Sequence, residues 1–242
     1  MNLIVEQGNT AIKIAVYQRD KLITAAVHKT FDVSEFDLLF ERYPLENGIF
    51  STVRDPDKMW IDILSGKLKR FLLFDDTVKL PLKIAYRTPE TLGKDRIAAV
   101  AGAHYLHPDG DVLVIDAGTA ITYEILEASG LYVGGNISPG LTTRFRALHQ
   151  FTDKLPLVEE TVHVPLTGTS TETAIIAGVV NGIIYEMDGY INAIRERYPE
   201  IFVFLTGGHS FYFEKRLKNT IFAAINLVLT GLNRILEYNV EN

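Results

Sequence analysis

Two acidic residues in this chain each stand two positions ahead of a glycine, at the end of an apolar run. They are Glu6 in "LIVEQGNTAIKIAVY" (3–17) and Asp116 in "VLVIDAGTAITYEIL" (112–126). A carboxylate beside a glycine turn has a definite chemical use. Glycine lets the backbone come close to a ligand, and the N–H groups of a turn can cradle phosphate oxygens. An acid next to phosphates repels them unless a cation intervenes. Mg2+ is held by one or two carboxylates together with phosphate oxygens and water. Glu6 and Asp116 therefore read as cation holders for a nucleoside triphosphate. Asn9, Thr10, Thr119 and Thr122 add amide or hydroxyl contacts, and Lys13 adds a positive charge near a γ-phosphate. One such hairpin alone is more simply a capped turn. Its repetition, with the acid on the same side of each glycine, favours the ligand reading.

Two further stretches carry chemistry. "LGKDR" (92–96) sets Asp95 beside Arg96 at a helix start. Phosphoryl transfer to an alcohol wants a carboxylate near the acceptor hydroxyl, and an arginine can hold an anionic group of the acceptor. "TGG" (206–208) follows an apolar run and suits the ligand-facing end of a strand. The chain has no GxxxxGK[ST], GxGxxG, HExxH or GxSxG stretch, which excludes a P-loop and argues against a Rossmann site.

The elements that must position these residues follow from the echo itself. Each copy reads as strand, polar turn and second strand, a β-hairpin, and the copies lie about one domain length apart. Strand patterns over 47–53, 82–86, 130–140 and 200–208 alternate with helical spacing over 57–72, 93–106, 142–156, 169–198 and 219–238. That alternation indicates an α/β fold. We expect two similar halves, 1–108 and 109–242, with a central cleft. Asp55 is the expected cap of the 57–72 helix, and Ser170 or Thr171 of the 169–198 helix. Ala174, Ala177, Gly178 and Gly182 are expected on close-packing faces, and Lys67–Arg70 on a solvated one.

Bulk properties bound the rest. The chain has 242 residues, of which 47% are hydrophobic and 22% charged, enough for a sizeable core. The net charge of −6 gives no footprint for nucleic acid or an anionic membrane. The absence of cysteine excludes disulfides, thiolate metal sites and cysteine nucleophiles. No secretory signal fits, since Glu6 interrupts the first apolar run, and no uncharged run approaches a membrane span. A cytoplasmic location is expected.

Taken in order, the motifs resemble those of the type III pantothenate kinases, within the acetate kinase, sugar kinase, Hsp70 and actin superfold. The first phosphate motif of that family, D-x-G-N-[TS]-x-x-K, corresponds to "EQGNTAIK" (6–13). A Tyr seven residues ahead of G-x-D-R corresponds to Tyr86 and "GKDR" (93–96). "DAGTAIT" (116–122), "GGNISPG" (134–140), "GTSTETAI" (168–175) and "TGG" (206–208) complete the series. The resemblance implies transfer of the ATP γ-phosphate to pantothenate, the first step of coenzyme A synthesis. It implies ATP and Mg2+ binding by Glu6, Gln7, Gly8, Asn9, Thr10, Ala11, Ile12 and Lys13, with Thr119, Gly207 and Gly208 also on ATP. Asp95 would be the proton acceptor. Tyr86, Gly93, Lys94, Asp95, Arg96 and Thr171 would contact pantothenate. Asp116 would hold a monovalent cation, K+ or NH4+, whereas the residues alone suggested Mg2+ for both acids. The resemblance also implies a homodimer whose site is completed across the interface. In one respect the chain departs from the pattern: the first acid is typically Asp, and Glu6 is one methylene longer. The alternative reading is a non-catalytic or weakly active nucleotide-binding relative, for which Glu6 is the one favouring feature.

Overall fold

A computed structural model describes residues 1–241. In chain order the elements are β1 (Asn2–Gln7), β2 (Ile12–Gln18), β3 (Lys21–His28), α1 (Glu35–Arg42), β4 (Asn47–Thr52), α2 (Lys58–Lys67), β5 (Arg70–Leu73), β6 (Lys83–Ile84), α3 (Lys94–Leu106), β7 (Val112–Ala117), β8 (Ala120–Leu126), β9 (Leu131–Pro139), α4 (Leu141–Gln150), α5 (Thr171–Arg197), β10 (Phe202–Thr206), α6 (Ser210–Glu214), β11 (Phe222–Ala223) and α7 (Leu227–Glu241). They form two compact units. Unit 1 takes residues 1–108, 129–132 and 226 onward, and unit 2 takes 109–128 and 133–225.

The sheet of unit 1 runs β3-β2-β1-β4-β5. β1 pairs antiparallel with β2 and parallel with β4, and β4 runs parallel to β5. β1 is central, so its residues Asn2–Glu6 are buried in an unbroken run. Leu3, Val5, Val16, Phe36, Phe50 and Trp60 form the core on one side. α3 and α7 meet backbone to backbone. A Cβ at Gly102 would lie 2.3 Å from Leu227 O, and one at Gly231 would lie 1.7 Å from Ala98 O. This packing puts α7 in unit 1, although its place in the chain groups it with the C-terminal half. Burial of α3 over the eight residues Arg96–Ala103 follows from cover on every side.

Unit 2 repeats this strand order. The second sheet runs β11-β10-β7-β8-β9-β6, with β7 antiparallel to β8 and parallel to β10. Thus β7 to β11 stand to one another as β1, β2, β3, β4 and β5 do. The sequence echo therefore marks a repeated sheet and not merely a repeated hairpin. α5 is long and apolar enough by composition to cross a membrane, but its face of Val180, Ile183, Met187 and Ile191 is buried in the unit 2 core. Ser170 caps it in a capping box with Thr173.

Several elements differ from the sequence expectation. The 57–72 helix stops at Lys67 and its cap is Asp57, whose side chain accepts from Met59 N. Beyond it, Lys69 N and Arg70 N donate to Glu46 O, and Arg70–Leu73 become β5 beside β4. Pairing with a neighbouring strand overrides the helical spacing there. Consequently Lys67–Arg70 is a helix-to-strand junction with Leu68 buried. α4 ends at Gln150, well before Pro156, and residues 222–223 form β11 ahead of α7. Ala174 and Gly178 are exposed on α5, and Cβ atoms at Gly178 and Gly182 would meet open space.

Candidate active site

In unit 1 the first turn is held from both flanks. Glu6 lies opposite Lys13 in the β1–β2 ladder, and Lys13 Nζ is 2.9 Å from Glu6 Oε2. The acid is 6% exposed. Gly8 N donates to Ala11 O at 2.9 Å to close the turn. Asn9 and Thr10 form its exposed tip, with Gln7, Ala11 and Ile12 partly covered. β4 and the loop after it support the turn: Thr52 Oγ1 donates to Gln7 Oε1 at 3.0 Å, and the Arg54 guanidinium donates to Asn9 O.

The acceptor motif lies in the same unit. Gly93 is the N-cap of α3, and a Cβ there would fall 2.5 Å from Asp95 Oδ1. Glycine is thus what lets the Asp95 carboxylate fold back over the helix start, where its Oδ1 accepts from Arg96 N at 2.9 Å. Arg96, beside it, is a buried side chain. It is 7% exposed, its Nη2 donates to Tyr132 OH at 3.0 Å, and its guanidinium lies 5.6 Å from the centre of the Tyr86 ring. Lys94 Nζ pairs with Asp76 and lies 5.8 Å from the Phe74 ring centre. Thr52, Arg54, Asp55, Thr91, Gly93 and Lys94 border one concavity of about 670 Å3. The residues that brace the first turn and those that open α3 therefore share a surface.

In unit 2 the second turn is one residue shorter. Asp116 faces Thr122 in the ladder, and Gly118 N donates to Ala120 O at 3.0 Å. The two acids nevertheless sit alike over their glycines. A Cβ at Gly8 would be 3.2 Å from Glu6 Oε1, and a Cβ at Gly118 would be 3.2 Å from Asp116 Oδ1. The extra methylene of Glu6 is taken up locally. Gly207 has φ +95° and packs on Asp116 and Ala117, where a Cβ would fall 2.4 Å from Asp116 Oδ1. Gly208, next to it, faces open space. Thr119 O accepts from Gly140 N at 3.0 Å and from Thr143 Oγ1 at 2.7 Å. Thr171 is exposed at the first position of α5.

A family model described as type III pantothenate kinase matches residues 2–193. The chain belongs to the type III pantothenate kinase family. It is 47% identical over 239 residues to a type III pantothenate kinase from Bacteroides fragilis, covering 99% of this chain and 98% of that one. It is 42% identical over 242 residues to one from Porphyromonas gingivalis, covering 99% of each. Among solved structures, a Campylobacter jejuni protein described as a Baf family transcriptional activator matches with TM-score 0.63 at 20% identity, covering 99% and 100%. A Sinorhizobium meliloti protein named as a 2-dehydro-3-deoxygalactonokinase matches with TM-score 0.58 at 13% identity, covering 99% of each. At these identities the two matches show a shared α/β fold.

Against the motifs of the type III pantothenate kinase family, the structure adds residues that spacing does not reveal. Arg54, Thr52 and Asp76 touch motif residues from 18 to 45 positions away. No local pattern signals them, because each is brought in by strand pairing or loop closure. Tyr132, the partner of Arg96, carries at most a weak signal, an aromatic in a strand.

Proposed function

We propose that this chain transfers the γ-phosphoryl group of ATP to the primary hydroxyl of pantothenate, giving 4′-phosphopantothenate, the first step of coenzyme A biosynthesis. The family match over residues 2–193 carries this reading. As a kinase it uses ATP with a divalent metal, and its task is positioning and charge stabilisation rather than covalent chemistry.

The residues fit Mg2+ held mainly through the nucleotide. Among the described residues no group of three His, Cys, Asp or Glu could hold a metal alone, and Mg2+ on phosphates needs only one or two carboxylates. Glu6 offers one over Gly8. Bound Mg2+ would offset the charge on the phosphate oxygens. Residues 6–13 would hold those phosphates, with Lys13 shifting from Glu6 towards them. Asp116, packed against Gly118 and Gly207, would hold a monovalent cation such as K+ or NH4+. Thr119 and Gly207–Gly208 would border the nucleotide. Tyr86, Gly93, Lys94, Arg96 and Thr171 would bind pantothenate, Arg96 through its charge. The hydroxyl oxygen attacks the γ-phosphorus, the bond to the bridging oxygen breaks, ADP leaves, and the hydroxyl proton passes to Asp95. A homodimer in a cytoplasmic setting, with part of the site supplied by the partner, completes the proposal.

Purified protein with ATP, Mg2+, K+ and pantothenate should give a product heavier by one phosphoryl group. Asp95→Asn should lose at least about a hundredfold in kcat, the scale of general-base effects. No turnover by the unsubstituted protein sinks the activity, and full turnover by Asp95→Asn sinks the base.

A further inference from the structure

We infer that Arg144 and Glu186 are positioning residues that hold the second phosphate turn in shape from behind; this rests on the kinase reading above. The start of α4 lies directly on that turn. A Cβ at Gly140 would be 2.2 Å from Gly118 O and 2.6 Å from Thr119 O. Gly140 N and Thr143 Oγ1 both donate to Thr119 O. Where α4 begins therefore fixes where Thr119 points.

Arg144, one helical turn further, fastens that start. Its N donates to Gly140 O at 2.9 Å and its Nε to Pro139 O at 2.8 Å. Its Nη2 donates to Glu186 Oε2 of α5 at 2.5 Å and reaches Ser138 Oγ at 3.4 Å. The other oxygen of Glu186 accepts from Ser138 Oγ at 2.5 Å and from Tyr123 OH at 2.8 Å. Tyr123 directly follows Thr122, the ladder partner of Asp116. A single carboxylate on the longest helix thus ties β8, the end of β9 and α4 together around the turn. Charge-assisted hydrogen bonds are the strong ones and are directional, which suits a brace better than apolar packing would. None of the four side chains belongs to the motif positions assigned to ATP or pantothenate.

The test is calorimetric titration of MgATP into the unsubstituted protein, Arg144→Gln, Arg144→Lys and Glu186→Gln, with KM for both substrates measured alongside. Arg144→Gln and Glu186→Gln should weaken MgATP binding about tenfold, the scale of one lost charge-assisted bond. KM for pantothenate should stay within about twofold. Arg144→Lys, which keeps the charge but loses the fork, should recover part of the loss. If a variant does not fold, Ser138→Ala serves instead, with a smaller effect of the same kind. Unchanged MgATP affinity in folded variants overturns the brace, as does an equal rise in both KM values. Failure of the kinase reading would show separately, as absence of turnover in the unsubstituted protein while MgATP binding still responds to the substitutions.

Discussion

The two glycines of "TGG" look interchangeable in the sequence, and the structure separates them. Gly207→Ala must place a methyl group at φ +95°, 2.4 Å from Asp116 Oδ1 and 2.6 Å from the backbone C and N of Ala117. The backbone conformation costs an L-residue about 1–2 kcal/mol. Crowding a packed site adds about 1–3 kcal/mol, since the Ala117 backbone cannot swing aside as a side chain would. The sum is about 2–5 kcal/mol, or a fall of about 4–20 °C in melting temperature for a chain of this size. Gly208→Ala meets nothing within 4 Å and should stay within about 0.5 kcal/mol. Thermal unfolding of the two variants beside the parent is the assay, with the K+ dependence of turnover as a second readout. The strain falls on Asp116, the proposed holder of K+, and on that proposal Gly207→Ala should also need more K+. A Gly207→Ala protein that melts with the parent, or a Gly208→Ala protein that loses as much stability, would refute this reasoning.

Other outcomes follow from the same contacts. Gly93→Ala should lower kcat more than it raises either KM, because its methyl group would displace the Asp95 carboxylate, 2.5 Å away; steady-state kinetics checks this. Glu6→Asp draws the carboxylate back by ~1.5 Å and should open the 2.9 Å contact with Lys13, leaving turnover at limiting Mg2+ unchanged or lower. A gain would mean that Glu6 is a strained metal ligand. Glu186 is held below the ordinary carboxylate range of 4.5: burial opposes this, but the hydrogen bonds from Ser138, Arg144 and Tyr123 outweigh it. A depressed folded pKa adds stability above 4.5 that is lost as pH falls through the lower value. Melting temperature measured from neutral to strongly acid pH should therefore drop more for the parent than for Glu186→Gln.

Much of this was legible in the chain. The apolar run before Glu6, the acid, the glycine and the polar tip are local features, and local features form wherever the chain is placed. Their repetition before Asp116 disclosed the sheet repeat, because a strand order is built outward from its central hairpin. α3 and α5 were legible for the same reason, and the α5 cap was narrowed to Ser170 or Thr171: periodicity and capping act over a few residues. Tertiary contact decided the rest. Residues 70–72 had helical spacing, yet β4 offered unpaired backbone groups and took them, with Leu73, as a strand. Chain order grouped α7 with the C-terminal half, whereas its backbone packing on α3 and the Asn2–Asn233 hydrogen bond place it in unit 1.

The sequence by itself thus determined which acids, glycines and hydroxyls stand together at short spacings, and those are what the proposed phosphate and proton roles rest on. Only the tertiary structure decided how they are held. It buried Arg96 under Tyr86 and Tyr132, set Glu6 over Gly8 as Asp116 sits over Gly118, made Gly207 costly to replace where Gly208 is not, and recruited Arg54 and Glu186. Those outcomes depend on which distant backbone closes on which side chain, and pairwise approach across tens of residues leaves no periodic trace in a single chain.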